Sequence, residues 1–144
     1  MTIDSDQFAS ALVAGMPDAI VHADASGLIR VWNAGATRLF GFTEAEALGQ
    51  TLGIIIPASV RDRHWQGFHA TMRTGQTRYG DGQILAVPAT RKDGARLSVE
   101  FTIVPFTDAD GHMTGIAAIM RDATARFEEV RALRKQLAEL RPPE

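Results

Sequence analysis

The sequence contains no cysteine, so no disulfide, thiolate metal site or cysteinyl bond to a cofactor can form. It also lacks a surplus of either charge: 15 Lys and Arg stand against 17 Asp and Glu. That balance gives no electrostatic ground for nucleic acid or an anionic membrane as partner. No apolar run reaches the roughly 18 to 20 residues that span a bilayer, and Met1 to Gln7 has neither the basic start nor the apolar centre of an export signal. A cytoplasmic location is the resulting expectation. Signatures of catalysis are missing too. There is no phosphate loop and no His-Glu-x-x-His, and Ser59, Asp62 and His64 crowd one helical turn without a glycine elbow. A non-enzymatic role is expected, with any catalytic output on another domain.

What is present fits one folded domain. The chain has 144 residues, 45% hydrophobic and 22% charged, which suits a packed core rather than disorder. Phe8, Leu12, Val13 and Met16 share a face at helical spacing, and Pro17 stops that helix. Ala19 to Ala23 and Leu28 to Trp32 read as two strands joined by the turn residues Asp24 to Gly27. Asn33 to Phe40 reads as a short helix ended by Gly41, and Thr43 with Glu46 has the spacing of a capping box. After Pro57 the residues Val60, His64, Phe68 and Thr71 or Met72 form one helical stripe, closed by Thr74-Gly75.

From Ile84 the period becomes two: Leu97, Val99, Phe101 and Ile103 alternate with polar residues. The turns Lys92-Asp93-Gly94 and Asp108 to Gly111 divide this half into three strands of a meander. The predicted fold class is therefore α+β, an antiparallel five-stranded sheet with helices on one face. Near the end, Val130, Leu133, Leu137 and Leu140 recur in the rhythm of a coiled-coil seam over about two heptads.

Four segments in order carry a family resemblance: Asp24 to Asn33, Leu39-Phe40-Gly41-Phe42, Arg91-Lys92-Asp93-Gly94 and Met120-Arg121-Asp122-Ala123-Thr124. The ordered set resembles the PAS family of sensory domains over roughly residues 8 to 126. The resemblance implies a lead-in helix over 1–17, a sensory domain over 18–122 and the start of a signalling helix over 123–144. Without cysteine, light-sensing types that form a cysteinyl adduct with FMN or another chromophore are excluded.

The segment Ile56 to Trp65 is similar to that of the haem-PAS sensors of the FixL type. That similarity puts His64 in the role of iron ligand to haem b and Arg78 near the propionates. Leu85, Val87, Val99, Phe101, Ile103 and Met120 would supply the apolar surround. His69 is five positions on, about 140° further round the helix, and is expected in solvent. Where the oxygen sensors of this type carry a distal arginine, Ile84 or Leu85 stands, so CO, NO or a redox change is expected before O₂ as the signal. Met120 or Met72 is a further candidate ligand to iron, although filling the core is the commoner role of methionine. The same residues also suit a PAS domain that binds a small organic metabolite, or one without ligand that serves as a dimerisation module. A parallel homodimer through Phe8, Leu12, Val13, Val130, Leu133, Leu137 and Leu140 is the expected assembly.

Overall fold

The Asp24-Ala25-Ser26-Gly27 turn starts the fold, because its geometry is locally determined. Asp24 Oδ1 accepts from the backbone N–H of Ser26 at 2.9 Å and of Leu28 at 3.1 Å, and Gly27 takes a φ of 83° that a side chain would strain. The turn joins strands β1 (Ala19–Asp24) and β2 (Ile29–Trp32). A computed structural model describes residues 2–76 and 84–142 of the chain. Helix α1 (Ser5–Gly15) precedes the hairpin, and α2 (Ala34–Phe40), α3 (Glu44–Ala47) and α4 (Arg61–Thr74) follow it. The chain then runs through β3 (Leu85–Thr90), β4 (Arg96–Thr107) and β5 (Met113–Asp122) into α5 (Thr124–Glu139).

All strand pairs are antiparallel, in the order β2-β1-β5-β4-β3. Directly paired residues share a face, so the registers define two surfaces. Val21 opposite Ala118 and Phe101 opposite Met120 belong to the inner face. Ile20 opposite Ile119 and Val104 opposite Ala117 belong to the outer one. The free edge of β2 is not left open. Ile29 donates to the Gln50 carbonyl at 2.8 Å and accepts from Gly49 N–H at 2.9 Å, which pins the loop after α3.

The tightest packing surrounds β2 and α2. Trp32, Phe40 and Ile29 are fully buried. Trp32 Nε1 donates to the Phe42 carbonyl at 3.0 Å, so the indole enters the core without an orphaned donor. Asn33 caps α2 by accepting from Ala36 N–H at 2.9 Å, and the same oxygen accepts from Ile20 N–H at 2.8 Å. Its amide donates to the carbonyls of Val13 and Asp18. One side chain thereby ties α1, β1 and α2 together. The Arg91 to Gly94 turn is fastened to the same region, with Arg91 donating to the Leu39 carbonyl at 2.6 Å and Lys92 N–H to the Phe40 carbonyl at 2.8 Å.

The capping box at Thr43 and Glu46 forms as the spacing predicts. At the start of α5, Asp122 and Thr124 play different parts. Asp122 accepts from Thr124 N–H at 2.8 Å, whereas the Thr124 hydroxyl accepts from Ser98 N–H on β4 at 3.0 Å. The threonine anchors the helix to the sheet. α5 itself buries none of its residues, and neither does α1. Among the described residues no helix is long and apolar enough to cross a membrane.

Candidate functional site

Helix α4 approaches the inner sheet face with Val60, His64 and Phe68 spaced four residues apart, on one stripe. Between this stripe and the sheet lies a cavity of about 430 Å³. That size falls within the roughly 300 to 1,000 Å³ of ligand sites. Its far wall is apolar: Val99, Phe101, Ile103, Ile116 and Ala118. No Asp or Glu is among the described lining residues.

His64 is the titratable group best placed to act on a ligand. Burial, and then the neighbouring His69, hold its imidazole below the ordinary histidine value. It is therefore neutral near pH 7, the form that binds metals. The ring packs edge-on to Trp65 at 4.9 Å and lies nearly parallel to Phe68 at 6.2 Å. Its Nδ1 is buried with no hydrogen-bond partner among the described residues. Metal-binding histidines almost always donate from the second ring nitrogen, and loss of that partner costs roughly 10- to 100-fold in affinity. The donor chemistry and the apolar walls fit haem, and the missing partner of Nδ1 fits a weak rather than a tight grip.

Of the residues singled out in the sequence, the structure brings His64, Val87, Val99, Phe101, Ile103 and Met120 together around this cavity. Leu85 is a correction. It opens the edge strand β3 two pairs beyond Val87 and is not among the lining residues. Ile84, the other residue set in the distal position, is 66% exposed. The apolar wall is thus built from β4 and β5 rather than from residues 84 and 85. Met72 packs against the core and does not line the cavity. Arg78 lies outside the described residues. His69 is exposed and stacks on Trp65 at 5.8 Å. His112 is exposed beside Asp108 and Asp110, three groups close enough to share a cation. There Asp108 Oδ1 already accepts two backbone N–H groups and serves the turn.

Several lining residues escaped the sequence reading. Arg63 and Gly67 of α4 both face the cavity. Only stepping one residue either side of the His64 stripe could have found them. Ile116 and Ala118 alternate on β5 across from Pro105 and Ile103, a signal that was visible as period two but was read only for Met120. Ile55 and Ile56 come from a short 3-10 segment, Leu52–Ile55, and its C-terminal flank, which has no periodic signature.

Comparison with known proteins bears on the whole arrangement. The model of the PAS fold family matches residues 7–123. The chain belongs to the PAS family. Two curated relatives of this PAS chain are similar to it along most of its length. One is the sensor protein FixL of Bradyrhizobium diazoefficiens, 29% identical over 126 residues that cover 87% of this chain and 24% of that protein. The other is an uncharacterised protein of Azorhizobium caulinodans, 32% identical over 82% of this chain and 16% of its own. The PAS chain thus spans about a quarter and a sixth of these relatives. Among solved structures it resembles the PAS domain of a Colwellia psychrerythraea protein, with a TM-score of 0.73, 23% identity and coverage of 85% of this chain and 99% of that one. It also resembles an RNA-binding light-oxygen-voltage receptor, with a TM-score of 0.77, 23% identity and coverage of 94% and 38%. At such identities these likenesses show the shared fold. The chain is a PAS sensory domain.

Proposed function

We propose that this PAS domain binds haem b in the cavity between α4 and the inner sheet face, with His64 as the protein ligand to iron, and reports a diatomic gas or a redox state. The observation that carries the reading is one neutral imidazole on the stripe facing an otherwise apolar cavity. Bound haem would supply an iron centre able to take CO, NO or O₂ or to change oxidation state. The chain's own part is to hold the ring with His64, exclude water with Val99, Phe101 and Ile103, and shape what can approach. That far wall offers no side-chain donor to a polar diatomic ligand, which favours CO, NO or redox sensing over O₂. The likeness to the sensor protein FixL supports the sensory role.

The assembly that would transmit the signal is a parallel homodimer through α1 and α5. Phe8 and Leu12 of α1, with Val130, Leu133, Leu137 and Leu140 of α5, all present side chains at least 40% exposed. Val13 is half-buried, with its carbonyl held by Asn33, and contributes less. Both helices leave the same end of the sheet, where Ala19 pairs with Met120 and Arg121 bridges to Asp18 at 2.7 Å. A ligand that shifts Met120 would tilt both helices, if it binds the two states unequally.

Reconstitution with haemin tests the reading. The wild type is expected to give a Soret band at one haem per chain, retained in His69→Ala and lost in His64→Ala. No Soret band in the wild type would leave an organic metabolite or a ligand-free dimerisation module as the function. Equal haem content in the two variants would remove His64 from its role.

A further inference from the structure

Several cationic groups of this domain are already engaged. Arg30, Arg121 and Arg126 pair with Asp24, Asp18 and Glu100, and Lys92 pairs with Glu46. Arg61, two positions before the cavity-facing arginine, donates to the Ile56 carbonyl at 2.9 Å. Arg63, like Arg38, Arg73 and Arg96, pairs with no carboxylate among the described residues; it differs from them in lining the cavity, whose described lining residues include no acid. A guanidinium at the rim of a mostly apolar space is placed to pair with an anionic group of whatever enters that space.

Gly67 supplies the second observation. It lies one turn further along α4, also lines the cavity and is exposed. A glycine inside a helix weakens it relative to alanine. Nothing among the described residues requires this one: its φ is not positive, and an added Cβ would meet none of their atoms within 4 Å. The missing side chain leaves a groove on the cavity side of α4. Arg63 and Thr71 lie one turn either side of Gly67 and line the cavity with it, as does Val87 of β3, 39% exposed. The exposed lining residues therefore mark the cavity's mouth, and the only formal charge among the described lining residues stands there.

We propose that the cavity is selective for amphipathic ligands bearing a carboxylate, the apolar body passing over Gly67 into the cavity and the carboxylate pairing with Arg63 at its mouth. This rests on the cavity being the ligand site but not on iron. Haem, with its propionates, and an apolar carboxylic acid metabolite share this chemistry. Arg63 is in this account a specificity-determining residue.

The test compares acids with uncharged counterparts in the wild type, Arg63→Gln and Gly67→Leu: haemin against its dimethyl ester by Soret titration, and decanoate against decanol by calorimetry. Arg63→Gln is expected to weaken each of haemin and decanoate that binds the wild type by at least about fivefold while leaving the ester and the alcohol within about twofold, as loss of a charge-assisted pair implies. Arg63→Lys should recover part of the loss. Gly67→Leu should weaken acids and uncharged ligands alike with no fall in melting temperature, which separates a filled groove from a damaged fold. Equal binding of acid and uncharged ligand by the wild type, or no effect of Arg63→Gln, overturns the inference. If haemin binds through His64 but ignores Arg63, the haem reading stands and this one falls. If decanoate binds in an Arg63-dependent way and haemin gives no Soret band, this one stands and the haem reading falls. If neither probe binds, both fall.

Discussion

The two faces of the one sheet are both apolar and are used in different ways. The inner face carries Val21, Val99, Ile103 and Ile116 beneath helices that bury part of it and stand off the rest, leaving the cavity. The outer face carries Ile20, Ile119, Val31, Val104 and Phe106, of which the last three are 38 to 44% exposed. Of the described helices, α5 reaches it with its first turn, where Arg126 pairs with Glu100, and it buries none of its own residues there. Incomplete packing thus has two forms here. On the inside it makes a compartment with a neutral histidine in its wall. On the outside, and on α1 and α5, it leaves surface that water covers poorly, as an interface between chains would. Within the inner layer there is a second contrast, between the filled end around Trp32 and Phe40 and the open end under α4.

The largest effect should come from breaking the filled end. Asn33→Ala removes one side chain that serves Ile20, Ala36, Val13 and Asp18. It is expected to cost about 3 to 5 kcal/mol, since several buried backbone groups lose their partners at once. A denaturant melt checks this, and a loss below about 1 kcal/mol would mean that water replaces the asparagine. The open end should respond with the opposite sign. Ala118→Leu projects into the cavity and is expected to stabilise the ligand-free domain by about 0.5 to 2 kcal/mol, while it abolishes haemin binding. A destabilised variant with binding intact would show that the cavity is not where the ligand sits.

A smaller, pH-dependent effect concerns His64. Burial lowers its folded value below the ordinary 6.5, so on acidification the unfolded chain takes up the proton first. Stability is therefore full above about pH 6.5 and declines as the pH falls from there toward the lower folded value. His64→Phe should flatten that part of the curve, as read from melting temperature against pH. The smallest effect belongs to the surface pair of Glu46 with Lys92. That contact, with a hydrogen bond from Thr43 N–H, pushes the Glu46 carboxyl down to about 2. Its contribution is present above about 4.5 and is lost as the pH drops from there toward 2. Glu46→Gln should leave the melting temperature at pH 7 almost unchanged, because exposed pairs are worth little, and should remove a small part of the acid-induced decline.

The fold was legible because its punctuation is chemical. Gly41 and Gly75 stop helices in the left-handed region, Asp24 and Asp108 organise turns, and Thr43 with Glu46 caps α3. The strands of the meander declared themselves through period two. The site was only partly legible. His64 emerged from its stripe, and Val99, Phe101 and Ile103 from their alternation. Ile84 or Leu85 was set in the distal position by likeness to the oxygen sensors, and such a likeness does not reveal which strand closes a cavity. Arg63 and Gly67 were overlooked because a charged residue and a glycine on a helix ordinarily mean solvent, and only the three-dimensional placement shows them at a cavity mouth.

The central claim, that the inner face is the ligand compartment and the outer face is not, is tested most directly by isoleucine methyl NMR during titration with zinc protoporphyrin, a diamagnetic stand-in for haem. Ring-current shifts are expected at Ile55, Ile56, Ile103 and Ile116, which line the cavity, with Ile20 and Ile119 of the outer face nearly unmoved. Shifts centred on Ile20 and Ile119, with the cavity methyls unchanged, would contradict the account.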